Sequence, residues 1–211
     1  MISLFRFFLI ISIASLMVHC TSSIPKKSIE DLKTAFNSES TSADKYSKFA
    51  EKARVEGFDT IATLFEAVSK SEAIHATNHV KVLEKYGEHA ITPQIASFEV
   101  KTTAENIQSA FNTETYEMQT QYPVFIRDAE NEKAAEAAKS FTWAWDAEKK
   151  HLSYFSVATT SLTNGSEKGL SFNWYVCPVC GNTYNAEDLK TSCDFCLTKQ
   201  ENFIGFTEKS E

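Results

Sequence analysis

A carboxylate and an imidazole stand three residues apart in Ser71-Glu72-Ala73-Ile74-His75, and again in Glu148-Lys149-Lys150-His151. On a helix that spacing puts both side chains on one face. Upstream of each pair lies a nearly identical hexapeptide, Ala35-Phe36-Asn37-Ser38-Glu39-Ser40 and Ala110-Phe111-Asn112-Thr113-Glu114-Thr115. Glu39 and Glu114 are 75 residues apart; Glu72 and Glu148, like His75 and His151, are 76 apart. The chain is an internal duplication that repeats acidic residues and histidines along with core positions. A lone Glu-x-x-His is ordinarily a solvated helix face; the matched recurrence, each time with an upstream Glu, sets this one apart. With Glu117 added, five carboxylates and two imidazoles face inward. A buried, uncompensated charge costs several kcal/mol, so the set calls for cations. Two divalent or trivalent metal ions would compensate it. Oxygen-rich ligands with one or two imidazoles suit iron or manganese better than copper, and the lack of thiolate argues against a zinc-type tetrahedral site.

A second constellation lies near the C-terminus. Cys177-Pro178-Val179-Cys180-Gly181 and Cys193-Asp194-Phe195-Cys196 are two knuckles with twelve residues between them. Gly181 lets backbone N–H groups turn toward sulfur. Four thiolates make a tetrahedral site for zinc or for a single iron, and spacing alone does not choose. Tyr175 and Tyr184 around the first knuckle lean toward iron. So does the neighbouring two-metal site, because a one-electron centre beside a two-electron site makes chemical sense.

The elements that must position these groups follow from helical periodicity. Four helices are expected: 29–55, 60–86, from Thr102 to about 129, and from Asn131 to about 159. Ser28 with Asp31 and Thr102 with Glu105 read as capping boxes, and Asp59 and Asn131 as caps. The connection 87–101 is a crossover that makes the second and third helices parallel. One Glu from each of two helices, and a Glu-x-x-His from each of the other two, is how a four-helix bundle holds two metals. Pro123 predicts a kink in the third helix. Glu39 to Tyr46 is seven residues but Glu114 to Tyr122 is eight; the extra residue predicts a π-bulge that swings Glu117 toward the metals. Tyr46 and Tyr122 are core tyrosines or hydrogen-bond partners of ligand carboxylates. Trp143 and Trp145 read as core, and His79 and His89 have no partner pattern. The fold class is mainly α: a bundle over 28–162, then a small β-rich four-cysteine domain over 172–207.

The net charge of -7 argues against nucleic acid as a partner. Residues 1–19 read as a signal peptide, with an apolar run from Phe7 to Val18 too short to span a bilayer. Cys20 stands where bacterial lipoproteins are lipidated, although His19 is bulky for that signal. An exported, periplasmic or membrane-anchored protein is expected, tethered to the membrane if Cys20 is lipidated. It is cytoplasmic if the segment is not a signal.

On these residues the chain resembles the rubrerythrins over about 28 to 206. The resemblance rests on Glu39, Glu72, Glu114, Glu117 and Glu148, on His75 and His151, on Tyr46 and Tyr122, and on Cys177, Cys180, Cys193 and Cys196. It implies a ferritin-like bundle with two non-haem irons and a rubredoxin-like domain with one. It implies reduction of hydrogen peroxide to water in oxidative-stress defence, with electrons supplied singly by the four-cysteine iron. Glu72 and Glu148 would bridge the irons. Glu39 would bind one and Glu114 with His151 the other, while Glu117 and His75 exchange on the first. A homodimer and an unnamed electron-donor protein are also implied. Asp194 and Leu197 depart from the Pro and Gly frequent in rubredoxins, and export departs from a mostly cytosolic family. Two other functions compete: a ferroxidase or other di-iron oxidase, which has no need of the cysteines, and a non-catalytic iron- or zinc-binding module.

Overall fold

The computed structural model describes residues 24–89, 91–165, 167 and 170–207; the apolar run and Cys20 lie outside them. Helices α1 (Lys26–Val55) and α2 (Asp59–Lys85) form an antiparallel hairpin. The third helix is built in three pieces: α3 (Thr103–Tyr116), a π turn (Glu117–Gln121) and α4 (Tyr122–Asn131). Helix α5 (Ala135–Thr163) closes the bundle against α2, α3 and α4. Among the described residues no helix is long and apolar enough to cross a membrane.

The expected π-bulge is present at the extra residue of the second repeat. Pro123, which has no N–H to give, falls just after it, where the helical ladder is already interrupted. Trp145 Nε1 donates to Met118 O inside the π turn at 2.8 Å, satisfying a carbonyl there. Trp143 and Trp145 are half-buried rather than core.

Two apolar clusters fill the bundle and leave a polar layer between them. One gathers Tyr46, Phe49, Phe65, Val68, Ile107 and Phe155, the other Leu32, Leu83, Tyr122, Phe125 and Phe141. They are related by the duplication: Tyr46 and Phe65 in the first correspond to Tyr122 and Phe141 in the second.

The two repeats also stitch each other's helix ends. Glu56, just after α1, accepts from Thr103 N (2.8 Å) and Oγ1 (2.6 Å) at the start of α3. Glu132, just after α4, accepts from Ser28 N (2.8 Å) and Oγ (2.7 Å) and from Lys27 N (3.0 Å) at the start of α1. A carboxylate thereby meets otherwise unpaired N–H groups at each helix N-terminus. The crossover runs along α1, with Gln94 N on Asn37 Oδ1 (2.9 Å) and Ala96 N on Thr41 Oγ1 (3.1 Å).

Three expected caps are corrected, the first of them by these stitches. Ser28 lies inside α1, its hydroxyl taken by Glu132, and Asp31 pairs with Lys27 at 2.6 Å instead of capping. Asp59 is the first residue of α2 rather than its cap, because Phe58 N closes α1 on Ala53 O and leads straight into the next helix. Asn131 ends α4 rather than starting α5, since Ala134 N returns to Ala129 O with Lys133 in the left-handed region. The Thr102–Glu105 capping box is formed as expected.

Beyond α5 a three-stranded antiparallel sheet has the order β2-β1-β3, from β1 (Trp174–Val176), β2 (Thr183–Asn185) and β3 (Ile204–Phe206). Trp174 and Val176 are buried in the same cluster as Tyr46. Trp174 meets the Tyr154 ring edge-on, centroids 4.6 Å apart. The small sheet is thus packed on the bundle by apolar contact.

Candidate metal centres

The polar layer of the bundle is the first centre. Helix α1 supplies Glu39, α2 supplies Glu72 and His75, α3 supplies Glu114, and α5 supplies Glu148 and His151. None is more than 1% exposed. His75 Nδ1 lies 2.9 Å from Glu72, 3.3 Å from Glu148 and 3.7 Å from Glu39. His151 Nδ1 lies 2.9 Å from Glu148, 3.3 Å from Glu72 and 3.4 Å from Glu114. Two overlapping groups result, Glu39–Glu72–His75–Glu148 and Glu72–Glu114–Glu148–His151, each with its donor atoms within 4.8 Å of one another. Glu72 and Glu148 belong to both. Glu117 is buried beside them but in neither group, and Ser38 Oγ donates to it at 2.7 Å.

This chain's residues fit two cations. One oxygen of each of Glu39, Glu72, Glu114, Glu117 and Glu148 is buried without a hydrogen-bond partner. Such orphaned acceptors are rare in folded proteins, and a cation resolves them. The proton affinities agree. Burial, then the charge of Glu72, pushes Glu39 up to about 7. Burial first, then neighbouring carboxylates, pushes Glu117 and Glu148 well above the usual range. His75 and His151 are raised too, the carboxylates outweighing burial. The layer draws in positive charge from whatever source it has.

The tyrosines cross the duplication. Tyr46 of the first repeat donates to Glu114 of the second, and Tyr122 of the second donates to Glu39 of the first. His79, which carries no motif, completes one of these bonds. Its Nε2 is 3.3 Å from Tyr122 Oη and its Nδ1 is 2.8 Å from Ser140 Oγ. Because the phenol proton goes to Glu39, His79 must donate through Nε2 and accept from Ser140 at Nδ1. Burial holds this ring neutral, down at about 3. The signal for it was faint: His79 continues the stripe of Glu72 and His75 by one more turn. Sequence reasoning also missed Lys45, buried beside Tyr46 with its ammonium on Thr113 Oγ1 at 2.8 Å.

The second centre is the four-cysteine cluster. Cys177 and Cys196 Sγ are 3.4 Å apart, as are Cys180 and Cys193 Sγ, and all four lie within 4.8 Å of one another. The knuckles match in their turns, Gly181 N to Cys177 O and Leu197 N to Cys193 O, both at 3.0 Å. Gly181 and Leu197 both adopt positive φ. Four thiols in one pocket fit one tetrahedral ion.

The first knuckle is seated on the bundle site. Ser71 Oγ donates to Gly181 O at 2.5 Å, and Asn78 Nδ2 donates to Val179 O at 2.8 Å. His151 Nε2 is 3.0 Å from Thr183 Oγ1, which itself donates to Gly181 O at 3.3 Å. That arrangement puts the proton of His151 on Nε2 and leaves Nδ1 free to face the carboxylates, as ligating histidines are usually fixed. A Cβ at Gly181 would lie 2.4 Å from His75 Nε2, so glycine is required by contact as well as by its φ of +84°. Each imidazole therefore faces the carboxylates on one side and the four-cysteine domain on the other.

Comparison with known proteins agrees with this geometry. The Rubrerythrin family model matches residues 30–158. Rubrerythrin-2 of Clostridium acetobutylicum is 32% identical over 175 residues, 83% of this chain and 94% of that protein. Nigerythrin of Nitratidesulfovibrio vulgaris is 30% identical over 178 residues, 84% of this chain and 86% of that one. The structure of nigerythrin in its fully reduced, all-ferrous state superposes with a TM-score of 0.77, covering 85% of this chain and 86% of that one. The chain belongs to the rubrerythrin family, as a di-iron oxidoreductase with an added four-cysteine metal site.

Proposed function

We propose that the protein is a peroxidase that reduces hydrogen peroxide to two waters, taking up two electrons and two protons per turnover. The observation that carries this reading is the seat of the first cysteine knuckle on the two site histidines, through Gly181 and Thr183. A di-iron pair held here would supply two electrons at once to one peroxide, and a single iron among the cysteines would restore them singly. A ferroxidase has no use for such a contact.

The remaining roles belong to the chain itself. Glu72 and Glu148, common to both groups, would each hold both metals. Glu39 with His75 would hold one and Glu114 with His151 the other. Glu117, held by Ser38 just outside the groups, would be an alternative to His75. Tyr46 and Tyr122 fix the outer oxygens of Glu114 and Glu39. The dry clusters above and below exclude bulk water from the layer. In this chain the docking of the four-cysteine domain is internal.

Stopped-flow absorbance of the anaerobically reduced protein tests the reading. Ferric-thiolate colour should appear fast with peroxide and slowly with air-saturated buffer. Faster colour with oxygen would favour an oxidase, and no colour in folded, iron-loaded protein would remove the electron path.

A further inference from the structure

Lys150 sits between Glu148 and His151 in sequence yet serves the other domain. Its ammonium lies 4.0 Å from the centroid of the Tyr184 ring and 5.3 Å from that of Phe195. Both rings belong to the four-cysteine domain; Phe195 is inside the second knuckle. Tyr184 Oη accepts from Asn182 Nδ2 at 2.7 Å and from Asp194 N at 2.9 Å, and Asn182 Nδ2 is also 3.8 Å from Cys193 Sγ. The lysine overlooks a cleft of about 540 Å³ between α5 and the cysteine domain, lined among others by Tyr154, Tyr184, Asp188 and Asp194. Burial lowers its proton affinity on balance, with Asp194, Cys193 and Asp188 opposing and Lys190 adding to the lowering. The other two cations of the cleft are paired, Lys190 with Asp194 at 3.0 Å and Lys149 with Asp146 at 2.7 Å. The duplication does not account for Lys150, because the matching position of the first repeat is Ile74.

We propose that Lys150 raises the reduction potential of an iron held by Cys177, Cys180, Cys193 and Cys196, by placing a fixed positive charge over the rings of Tyr184 and Phe195. This rests on the reading of the four-cysteine site as a redox iron. Four thiolates around ferric iron carry one net negative charge, and around ferrous iron two. Reduction adds one electron and neither makes nor breaks a bond. A nearby cation favours the more negative state, and aromatic faces hold that cation where a carboxylate would cancel it. Lys150, on the side that faces α5, would thereby make the cysteine iron easier to reduce.

The test is a mediated redox titration of the iron-loaded full chain, read on the ferric-thiolate band. In Lys150→Met the ratio of reduced to oxidised iron at a fixed potential should fall about tenfold, a shift of about 59 mV downward for one electron. Lys150→Arg keeps charge and aromatic stacking and should titrate like the parent. Lys149→Met, on an exposed neighbour, should as well. An unchanged potential in Lys150→Met overturns the proposal. So does an equal shift in Lys150→Met and Lys150→Arg, which would mean that packing and not charge is responsible. Absence of the ferric-thiolate band in the unsubstituted, folded chain would overturn the redox-iron reading itself, and is recognised before any variant is made.

Discussion

The two halves of the bundle place the same three ligands, two glutamates and one histidine, at the same depth, yet surround them differently. Tyr46 packs on Phe65 and Phe155, with centroids 6.0 and 5.7 Å away. Tyr122 packs on Phe141 and His79, at 6.3 and 6.2 Å. Shifted by 76 residues, Phe155 answers to His79 and Leu64 to Ser140. One tyrosine is thus held in a dry cage, the other in a polar one. Glu117 has only Thr41 or Ser42 at its matching place, and the π turn that carries it has no counterpart in α1. Duplication keeps the residues of both groups; the differences gather around Glu39 and Glu117.

The strongest test of the shared part is removal of metal. Both halves leave carboxylate oxygens without partners, so chelation should destabilise the whole bundle and not one end. At free metal a thousandfold above Kd each site contributes about 4 kcal/mol, and thermal unfolding with and without chelator should show a loss of at least that size. Glu72→Gln and Glu148→Gln should each empty both sites in metal analysis, since each residue belongs to both groups. Glu39→Gln and Glu114→Gln should each empty one. Loss of one metal from every variant would break the bridging assignment.

Next in size is the contact that differs between the histidines. Behind His75 lie Gly181, with no room for a Cβ, and the Ser71 hydroxyl at 3.5 Å, whereas His151 is backed more closely, at 3.0 Å, by the hydroxyl of Thr183. Gly181→Ala should cost about 2 kcal/mol from its left-handed backbone alone, and more from the clash. It should also lift the knuckle and slow the appearance of ferric-thiolate colour. Thr183→Val should cost about 1 kcal/mol and leave the knuckle seated. Equal slowing in the two variants would mean that the histidines are not served separately.

His79→Phe makes the polar cage resemble the dry one. Ser140 and Tyr122 would each lose a partner, for about 1 to 3 kcal/mol in chemical unfolding, while two metals per chain are retained. Loss of metal would instead place His79 among the groups that the site cannot do without. Its role was faint in the sequence because the duplication puts Phe155 at the matching place, so His79 has no second copy to compare with. The ligands were legible for the opposite reason: the duplication printed them twice, and the unequal Glu-to-Tyr intervals exposed the π turn. The start of α1 was misread because local capping rules do not see a carboxylate 104 residues from Ser28, whereas Asp59 and Asn131 were misread because the turn that closes one helix runs straight into the next. The seating of the knuckle on the histidines was equally illegible, since Gly181 already had a local reason to be glycine.

The smallest effect probes whether the two stitches are equivalent. Hydrogen bonds from the Thr103 side chain and backbone hold Glu56 down at about 2, against an ordinary value near 4.5. Glu132 is also lowered: burial pushes it up, but Ser28 and Lys27 outweigh that. A depressed carboxyl stabilises the fold above its unfolded value and loses that contribution as pH falls toward its folded one. Glu56→Gln should therefore cost about 1 kcal/mol at pH 7, the usual scale for a helix cap. The difference from the parent should shrink below pH about 4.5 and close near 2. Glu132→Gln should follow the same course with a similar amplitude, since it serves three donors where Glu56 serves two donors of Thr103 and the ammonium of Lys52. A flat pH dependence for one and not the other would show that the duplication keeps the shape of this joint without keeping its charge.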